Sequence, residues 1–327
     1  MCFATCLRRM TFVFLLGLVL GSGSLAAEEE LVVMFWNLEN FFDPRDGGKG
    51  SADEEFSSRG KRHWTWERFD RKKNKIAKTI LCVGQEYGHL PDIVGVAEVE
   101  NAFVLWSLCN APPLKKADYG FVHFESPDHR GIDVGLLYRK SEWDLLYKRQ
   151  VPLMQEGDTL HTRAILEVEL RHRSGQEFVF LVNHHPSKFS GAKASAGARF
   201  LAMEVLRDLC QASGDRAVAM GDFNDVPDAP QLAVMDGTMA NLGDDFIGTD
   251  RGSIRFDGKW QLIDFFLVPE EWRGRCTMEV FAPEHLLEWD GRHTGVKPFR
   301  TYSGPRYKGG VSDHLPVILH FSTADFI

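Results

Sequence analysis

The sequence contains few cysteines and no Cys-x-x-Cys pair. Six of its 327 residues are cysteine, and the four that follow residue 27 are widely spaced, at Cys82, Cys109, Cys210 and Cys276. In an exported protein these residues could be oxidised. Because Cys82 and Cys210 fall in apolar helical patterns, buried free thiols are at least as consistent with the sequence. Both states of the cysteines therefore stay open.

The chain also has no N-terminal apolar run long enough to cross a bilayer. The run from Thr11 to Leu20 is shorter than the roughly 20 residues that a transmembrane helix requires. Arg8-Arg9 precedes it and small residues up to Ala27 follow it, which is the order typical of a secretory signal peptide. We predict that residues 1–27 are a signal peptide, that the protein is exported to the periplasm or the extracellular space, and that it has no stable membrane insertion.

Internal repeats, low-complexity tracts and a central flexible linker are also missing, which predicts one catalytic domain over residues 28–327.

Positive charge is scarce: the formal net charge is −8, and it would fall to near −10 if Arg8 and Arg9 leave with the signal peptide. Tight, sequence-independent binding of nucleic acid relies on Lys and Arg, and an acidic surface opposes it. Nucleic acid stays a possible partner through a local basic patch, and no obligate protein partner is evident.

Short apolar runs that end in polar residues predict β-strands. They cover residues 31–36, 92–97, 119–124, 132–138, 163–170, 177–182, 217–220, 262–268 and 316–321. Apolar residues three and four positions apart predict an amphipathic helix from Trp66 to Val83 that stops at Gly84, and a second helix is predicted over residues 192–212. Residues 43–65 are a polar, Gly-rich insertion. Strand follows strand too often for an alternating βαβ fold, so a mixed, mostly antiparallel arrangement is expected.

Six polar segments stand at the ends of predicted strands. They are Trp36-Asn37-Leu38-Glu39-Asn40, Ala97-Glu98-Val99-Glu100, Asn183-His184-His185-Pro186-Ser187, Gly221-Asp222-Phe223-Asn224-Asp225, Ile263-Asp264-Phe265 and Ser312-Asp313-His314-Leu315-Pro316. Mg²⁺ prefers a few carboxylates together with other oxygen ligands. Glu98 at the mouth of a strand, with Asn37 on the adjacent strand, therefore predicts a Mg²⁺ site, with Mn²⁺ as an alternative. Zinc bound by the neighbouring histidines is a rival that the carboxylates and amides disfavour.

Two of these segments carry residues that can hydrolyse a phosphate ester. Asp222 can accept a proton from an attacking water, and Asn224 can donate a hydrogen bond to a phosphate oxygen. His314, as an imidazolium, can stabilise a pentacovalent transition state if a carboxylate holds its tautomer and charge. The sequence therefore indicates phosphoester hydrolysis by direct attack of an activated water.

The six segments, in this order, resemble the endonuclease/exonuclease/phosphatase superfamily, and the Gly-Asp-Phe-Asn and Ser-Asp-His motifs are the most specific of them. The resemblance implies an α/β (α+β) fold, a four-layer sandwich of two mixed, mostly antiparallel β-sheets flanked by helices. It also implies that Asn37 and Glu98 bind the metal, that Asp313 is a second metal-side or water-orienting acid, and that Asp264 is the carboxylate partner of His314.

The remaining candidates follow from looser matches to the family. His185 is favoured over His184 as the histidine that acts near the leaving group, while His184 is kept as a phosphate-binding residue. Arg130 could contact phosphate, and Asp133 could orient His185. Loss of Glu98, Asp222, Asp264 or His314 would be expected in a non-catalytic binding protein that kept the fold, and none is missing.

The predicted function is that of a secreted, Mg²⁺-dependent phosphoesterase. Its substrate is a phosphate ester, either a phosphodiester, as in a nuclease, or a phosphomonoester. A lipid or sugar-phosphate phosphatase or phosphodiesterase of the same fold is an alternative, and a non-catalytic binding protein is a second.

Overall fold

The structure is a computed structural model that describes residues 30–48, 50–188, 191 and 195–322. The predicted signal peptide, residues 1–27, lies outside the described residues, as do residues 192–194 at the start of the second predicted helix. Within the described part of the chain, no helix combines the length and apolar character needed to span a membrane.

Two six-stranded sheets form the centre of the fold. Numbered along the chain, the first contains β1 (Glu30–Phe41), β2 (Ile93–Val99), β3 (Tyr119–His123), β4 (Asp133–Arg139), β15 (Cys276–Val280) and β20 (Val317–Ser322). The second contains β5 (Trp143–Val151), β8 (Ile165–His172), β9 (Glu177–His184), β10 (Ala217–Asp222), β11 (Met239–Asn241) and β14 (Asp264–Pro269). Short two-stranded hairpins are β6 (Met154–Gln155) with β7 (Asp158–Thr159), β12 (Ile254–Phe256) with β13 (Lys259–Gln261), β16 (Leu287–Trp289) with β17 (Val296–Pro298), and β18 (Tyr302–Ser303) with β19 (Arg306–Tyr307).

Each sheet has one parallel pair at its centre and antiparallel pairs on both sides. The strand orders are β15-β20-β1-β2-β4-β3 and β11-β14-β10-β9-β8-β5. The parallel pairs are β1 with β2 and β9 with β10, and the other neighbours in the two sheets are antiparallel. The predicted mixed, mostly antiparallel arrangement is therefore confirmed.

Helices cover the outer faces of both sheets and complete the four predicted layers. They are α1 (Ser51–Glu55), α2 (Trp66–Glu86), α3 (Ala102–Cys109) and α4 (Ala196–Ser213). Apolar side chains of α2 and α3 pack on the first sheet, and those of α4 pack on the second. The predicted stop at Gly84 is wrong by two residues, since helix α2 ends at Glu86; the missing side chain of Gly84 leaves room for Leu90.

The core between the two sheets combines many aliphatic side chains with several large aromatic ones. The Phe178 ring on β9 lies 5.8 Å from the Phe321 ring on β20, so the inner faces of the two sheets are in direct contact. Phe180 lies on the same face of β9, is fully buried, and has its ring centroid 5.8 Å from that of Trp143. The packing of these rings fixes how the strand ends of one sheet lie against those of the other.

We expect Phe180→Ala to lower the free energy of unfolding by about 3–5 kcal/mol, because the change removes a fully buried ring and leaves a cavity. Chemical denaturation of the purified protein measures this loss. Phe200→Ala on α4 is the matched control, since Phe200 is 45% exposed and its loss should change the free energy by less than about 1 kcal/mol. Equal losses in the two variants would contradict the assignment of the core.

Candidate active site

Six of the predicted site residues come together at one edge of the sheets. The parallel pairs bring the C-terminal ends of β1, β2, β9 and β10 to this edge, and the antiparallel neighbours β14 and β20 begin there. Asp264 at the start of β14 pairs in register with Asp222 at the end of β10. The residues brought together in this way are Asn37, Glu98, His184, Asp222, Asp264 and His314.

A continuous series of polar contacts joins both sheets at the centre of this site. His314 Nδ1 donates to Asp264 Oδ2 at 2.7 Å, which directs Nε2 toward Asp222 Oδ2, 3.9 Å away. The Asn37 side-chain amide donates to the same Asp222 oxygen at 3.0 Å. The loop that carries His314 is fixed by Ser312, whose hydroxyl donates to the Asn37 carbonyl at 2.6 Å. Asn37, Asp222, Asp264 and His314 are therefore held as one unit.

Burial and neighbouring charges set the protonation of this unit. Burial alone would lower the pKa of His314, but the charge and hydrogen bond of Asp264, with the charge of Asp222, hold that pKa well above its ordinary value. Burial, followed by the charge of Asp264, raises the pKa of Asp222 to about 7. His314 is therefore positively charged at neutral pH, and the raised pKa of Asp222 suits a proton acceptor.

The two adjacent histidines point in different directions, as alternate residues along an extended chain do. His184 Nε2 lies 3.5 Å from Asp222 Oδ2. The His185 ring packs against the Phe223 ring, with 5.0 Å between centroids, and its Nε2 is buried without a hydrogen-bond partner among the described residues. Burial lowers the pKa of both histidines, that of His185 to about 3. The structure thus places His184 beside Asp222, and the predicted role of His185 near the leaving group stays a prediction.

Two further predicted residues make contacts other than those expected. Asp133 does not orient His185: its Oδ2 lies 3.1 Å from His123 Nε2 and its Oδ1 accepts from the backbone of Ser126. The Asn224 side-chain amide donates to the His185 carbonyl at 3.0 Å, while its backbone amide donates to Asp222 Oδ1 at 2.9 Å. Asn224 therefore shapes the turn that presents Asp222, and its predicted contact with phosphate stays a prediction.

Glu39 and Lys72 are buried site residues that the sequence interpretation missed. Glu39 Oε1 lies 2.9 Å from Arg300 Nη2, which also contacts Asp313 Oδ2 at 2.9 Å. Lys72 is 1% exposed, and its ammonium donates to the Glu39 carbonyl and to the Thr301 hydroxyl. Burial, followed by the charge of Asp313, raises the pKa of Glu39 to about 7, and burial lowers that of Lys72 to about 8.

A sequence signal for both residues was present. Glu39 stands in the first polar segment, two residues after Asn37, next to a predicted strand end. Lys72 lies three residues after Phe69, on the apolar face of the amphipathic helix, where a charged side chain is exceptional.

The donor atoms at this edge are of the type that a hard divalent cation prefers. Glu98 Oε2 accepts from the Asn40 backbone at 2.8 Å, and Glu98 Oε1 lies 3.6 Å from Arg130 Nη2. Together with Glu39 and Asp313, Glu98 provides carboxylate oxygens, which suit Mg²⁺ or Mn²⁺. At this edge, the possible ligand atoms that lie within a mutual distance of 4.8 Å are those of Asp222, Asp264 and His314, and Asp264 Oδ1 is buried without a hydrogen-bond partner among the described residues.

Comparison with known proteins identifies relatives that share this architecture. A model of the endonuclease/exonuclease/phosphatase family matches residues 32–323. A protein of this family from Bacteroides thetaiotaomicron is similar in structure, with 17% identity, a TM-score of 0.58, and coverage of 90% of this chain and 98% of that chain. A search of curated protein sequences gave no match.

Two other similar structures have stated activities or ligands. Mannosyl-6-phosphatase from Bacteroides thetaiotaomicron has 18% identity and a TM-score of 0.55, and covers 88% of this chain and 98% of its own. D. rerio TDP2 complexed with a single-strand DNA product has 16% identity and a TM-score of 0.52, and covers 89% of this chain and 98% of its own. At these identities the likeness shows the fold alone.

Proposed function

The chain belongs to the endonuclease/exonuclease/phosphatase family, and we propose that it is a Mg²⁺-dependent phosphoesterase that cleaves its substrate by direct attack of an activated water. The observation that carries the proposal is the buried unit of Asp264, His314, Asp222 and Asn37, because it joins an imidazolium and a proton acceptor at the edge where the strands of both sheets end.

The residues of this unit have complementary roles in the proposed reaction. Asp222, with a pKa near 7, takes a proton from the attacking water. His314 donates from Nε2 to a non-bridging phosphate oxygen and stabilises the charge that develops there, while Asp264 holds Nδ1 and the orientation of the ring. The Asn37 amide fixes the Asp222 carboxylate through its hydrogen bond. A divalent cation held by Asn37, Glu98, Asp313 and Glu39 would supply Lewis-acid stabilisation of the phosphate.

The similar structures support two classes of substrate for this chain, phosphomonoesters and phosphodiesters. One is a mannosyl-6-phosphatase, and another holds a single-strand DNA product. Purified protein with Mg²⁺ is therefore incubated with p-nitrophenyl phosphate, bis-(p-nitrophenyl) phosphate, RNA and plasmid DNA. Hydrolysis of at least one, well above that by His314→Ala, supports the proposal. Failure on all four, together with retained binding of a phosphate ester, would favour a non-catalytic binding protein.

We also propose that the protein is exported after cleavage near Ala26 or Ala27, on the basis of the Arg8-Arg9 start and the apolar run that follows. The expected result is a mature N-terminus at Ala27 or Glu28 in protein recovered from outside the cytoplasm of its native host. N-terminal sequencing measures it, with the cytoplasmic fraction as the control. An intact form that begins at Met1 in the cytoplasm would contradict the proposal.

A further inference from the structure

A cavity of about 530 Å³ adjoins the catalytic edge on the side of Arg130. We call it the arginine cavity, because three arginines line it: Arg62, Arg130 and Arg163. Arg163 donates to the His184 carbonyl, and Arg130 lies 3.6 Å from Glu98, so the cavity reaches both the histidine and the metal side of the catalytic edge. Its volume lies within the range of small-molecule binding sites.

The polar insertion at residues 43–65 forms one wall of this cavity. Its α1 helix is attached to the loop of Arg130, because the backbone of Ser51 donates to the His129 carbonyl at 2.8 Å and that of Ala52 donates to the Arg130 carbonyl at 3.3 Å. Gly50 has φ 114°, and a Cβ there would clash with the backbone of Arg130 and Gly131. The insertion therefore positions Arg130 and contributes Arg62 to the same cavity.

Several hydrogen-bonding groups of the cavity have no partner among the residues that the structure describes. The Arg130 guanidinium makes no hydrogen bond to the described residues, since its nearest carboxylate contact is the 3.6 Å approach to Glu98. Arg62 binds Glu55 through Nε and Gly304 through Nη1, whereas its Nη2 has no partner among the described residues. The Thr162 hydroxyl is buried, with the residue 9% exposed, and also lacks a partner there. Buried polar groups are nearly always satisfied, so the Thr162 hydroxyl indicates a ligand, to which the partly exposed Arg62 and Arg130 can add guanidinium donors.

We propose that the arginine cavity binds a second phosphate group of the substrate, separate from the phosphate that is hydrolysed. Three arginines and one carboxylate, Glu55, line it among the described residues. Arg163 is committed to Asp128 at 2.9 Å and to the backbone carbonyls of His184 and His185, so the guanidinium donors left for a ligand belong to Arg62 and Arg130. Arginine presents several N–H donors in a planar fork that matches phosphate oxygens. The proposal rests on the proposed function and narrows it to substrates with two phosphates, either a small bisphosphate or two neighbouring phosphates of a nucleic acid chain.

Matched ligands test the second phosphate directly. Propane-1,3-diyl bisphosphate and propyl phosphate differ in one phosphate, and both are measured as inhibitors of bis-(p-nitrophenyl) phosphate hydrolysis and by calorimetric binding. We expect the bisphosphate to bind at least about tenfold more tightly, because hydrogen bonds to charged groups contribute that much. Equal binding of the two ligands would overturn the proposal.

Substitutions of cavity residues identify which side chains make the bisphosphate bind more tightly than propyl phosphate. Arg62→Met and Thr162→Val should each bring the ratio of the two binding constants toward one. Arg149→Met is the matched control, since Arg149 forms a similar ion pair, with Glu167, on strand β5, and it should leave the ratio unchanged. The melting temperature of Thr162→Val should not fall, because its hydroxyl has no partner to lose. An unchanged ratio in both cavity variants would overturn the proposal.

Two further outcomes separate the cavity from the proposed function. Preferential, Arg62-dependent binding of the bisphosphate without hydrolysis of any phosphate ester would support the second phosphate site and contradict the proposed phosphoesterase activity. Hydrolysis of a phosphate ester without tighter binding of the bisphosphate would support the phosphoesterase activity and contradict the second phosphate site. Binding of a thymidine tetranucleotide more tightly than the small bisphosphate, with the same sensitivity to Arg62→Met, would assign the second phosphate to a nucleic acid chain.

Discussion

His314→Ala is expected to lower kcat by about 10²–10⁴-fold, because it removes the positively charged donor that faces the phosphate. The KM should change far less, since most ground-state contacts with the phosphate survive. Steady-state kinetics on whichever phosphate ester the protein cleaves measures both constants. His89→Ala is the matched control: His89 Nε2 lies 3.2 Å from Asp92 Oδ2 at the start of β2, the opposite end of that strand from Glu98, and its loss should leave kcat unchanged.

The hydrogen bond between His314 and Asp264 predicts that substitutions of the two residues have non-additive effects on kcat. Asp264→Asn should lower kcat less than His314→Ala, and the double variant should be no slower than the slower single variant, because residues that act as a unit are not additive. Additive losses would separate the two residues and reject the dyad. His314→Ala also leaves the Asp264 carboxylate buried without its partner, so kinetics are measured well below the melting temperature of each variant.

Removal of divalent cations is expected to abolish activity, and addition of Mg²⁺ or Mn²⁺ should restore it, because the proposed ligands Asn37, Glu98 and Asp313 offer oxygen atoms. The test compares initial rates in excess chelator with rates during titration of each ion. Full activity in excess chelator would reject the proposed cofactor. Restoration by Zn²⁺ and not by Mg²⁺ would instead favour ligands that include histidine nitrogen.

Glu98→Gln tests whether Glu98 is a ligand of the divalent cation. We expect this variant to need a higher Mg²⁺ concentration for half-maximal rate, or to have a lower maximal rate, while it keeps its fold, because an amide is a weaker ligand than a carboxylate. Glu142→Gln is the control, since Glu142 also contacts an arginine, Arg139. Glu142 follows the C-terminal end of β4, which pairs with the N-terminal end of β2, whereas Glu98 lies at the C-terminal end of β2. The same change in Mg²⁺ dependence for both variants would contradict the assignment of Glu98.

The sequence by itself determined the reaction class and the kind of fold. Apolar runs that end in Asp, Glu, Asn or His are local features, and they were enough to indicate a mixed, mostly antiparallel arrangement with the polar residues at strand ends. The resemblance of the six segments to the family implied that the strands form two packed sheets. The pairing of Asp264 with His314 was visible for the same reason, because each residue stands next to a predicted strand and matches a specific motif of the family.

The tertiary structure decided which side chains meet. His184 and His185 are adjacent on one strand, and only the position of β10 beside β9 shows that His184 faces Asp222. Asp133 contacts His123 because β3 and β4 pair in the first sheet, a long-range choice that the local pattern does not contain.

The buried charges and the arginine cavity also required the tertiary structure. Glu39 is buried because Arg300, 261 residues later in the chain, folds over it. The insertion at residues 43–65 gains its role from contact with the loop of Arg130, which lies on a different part of the chain. In each case the decisive interaction joins segments far apart in sequence, so composition and periodicity, which report on local structure, could not reveal it.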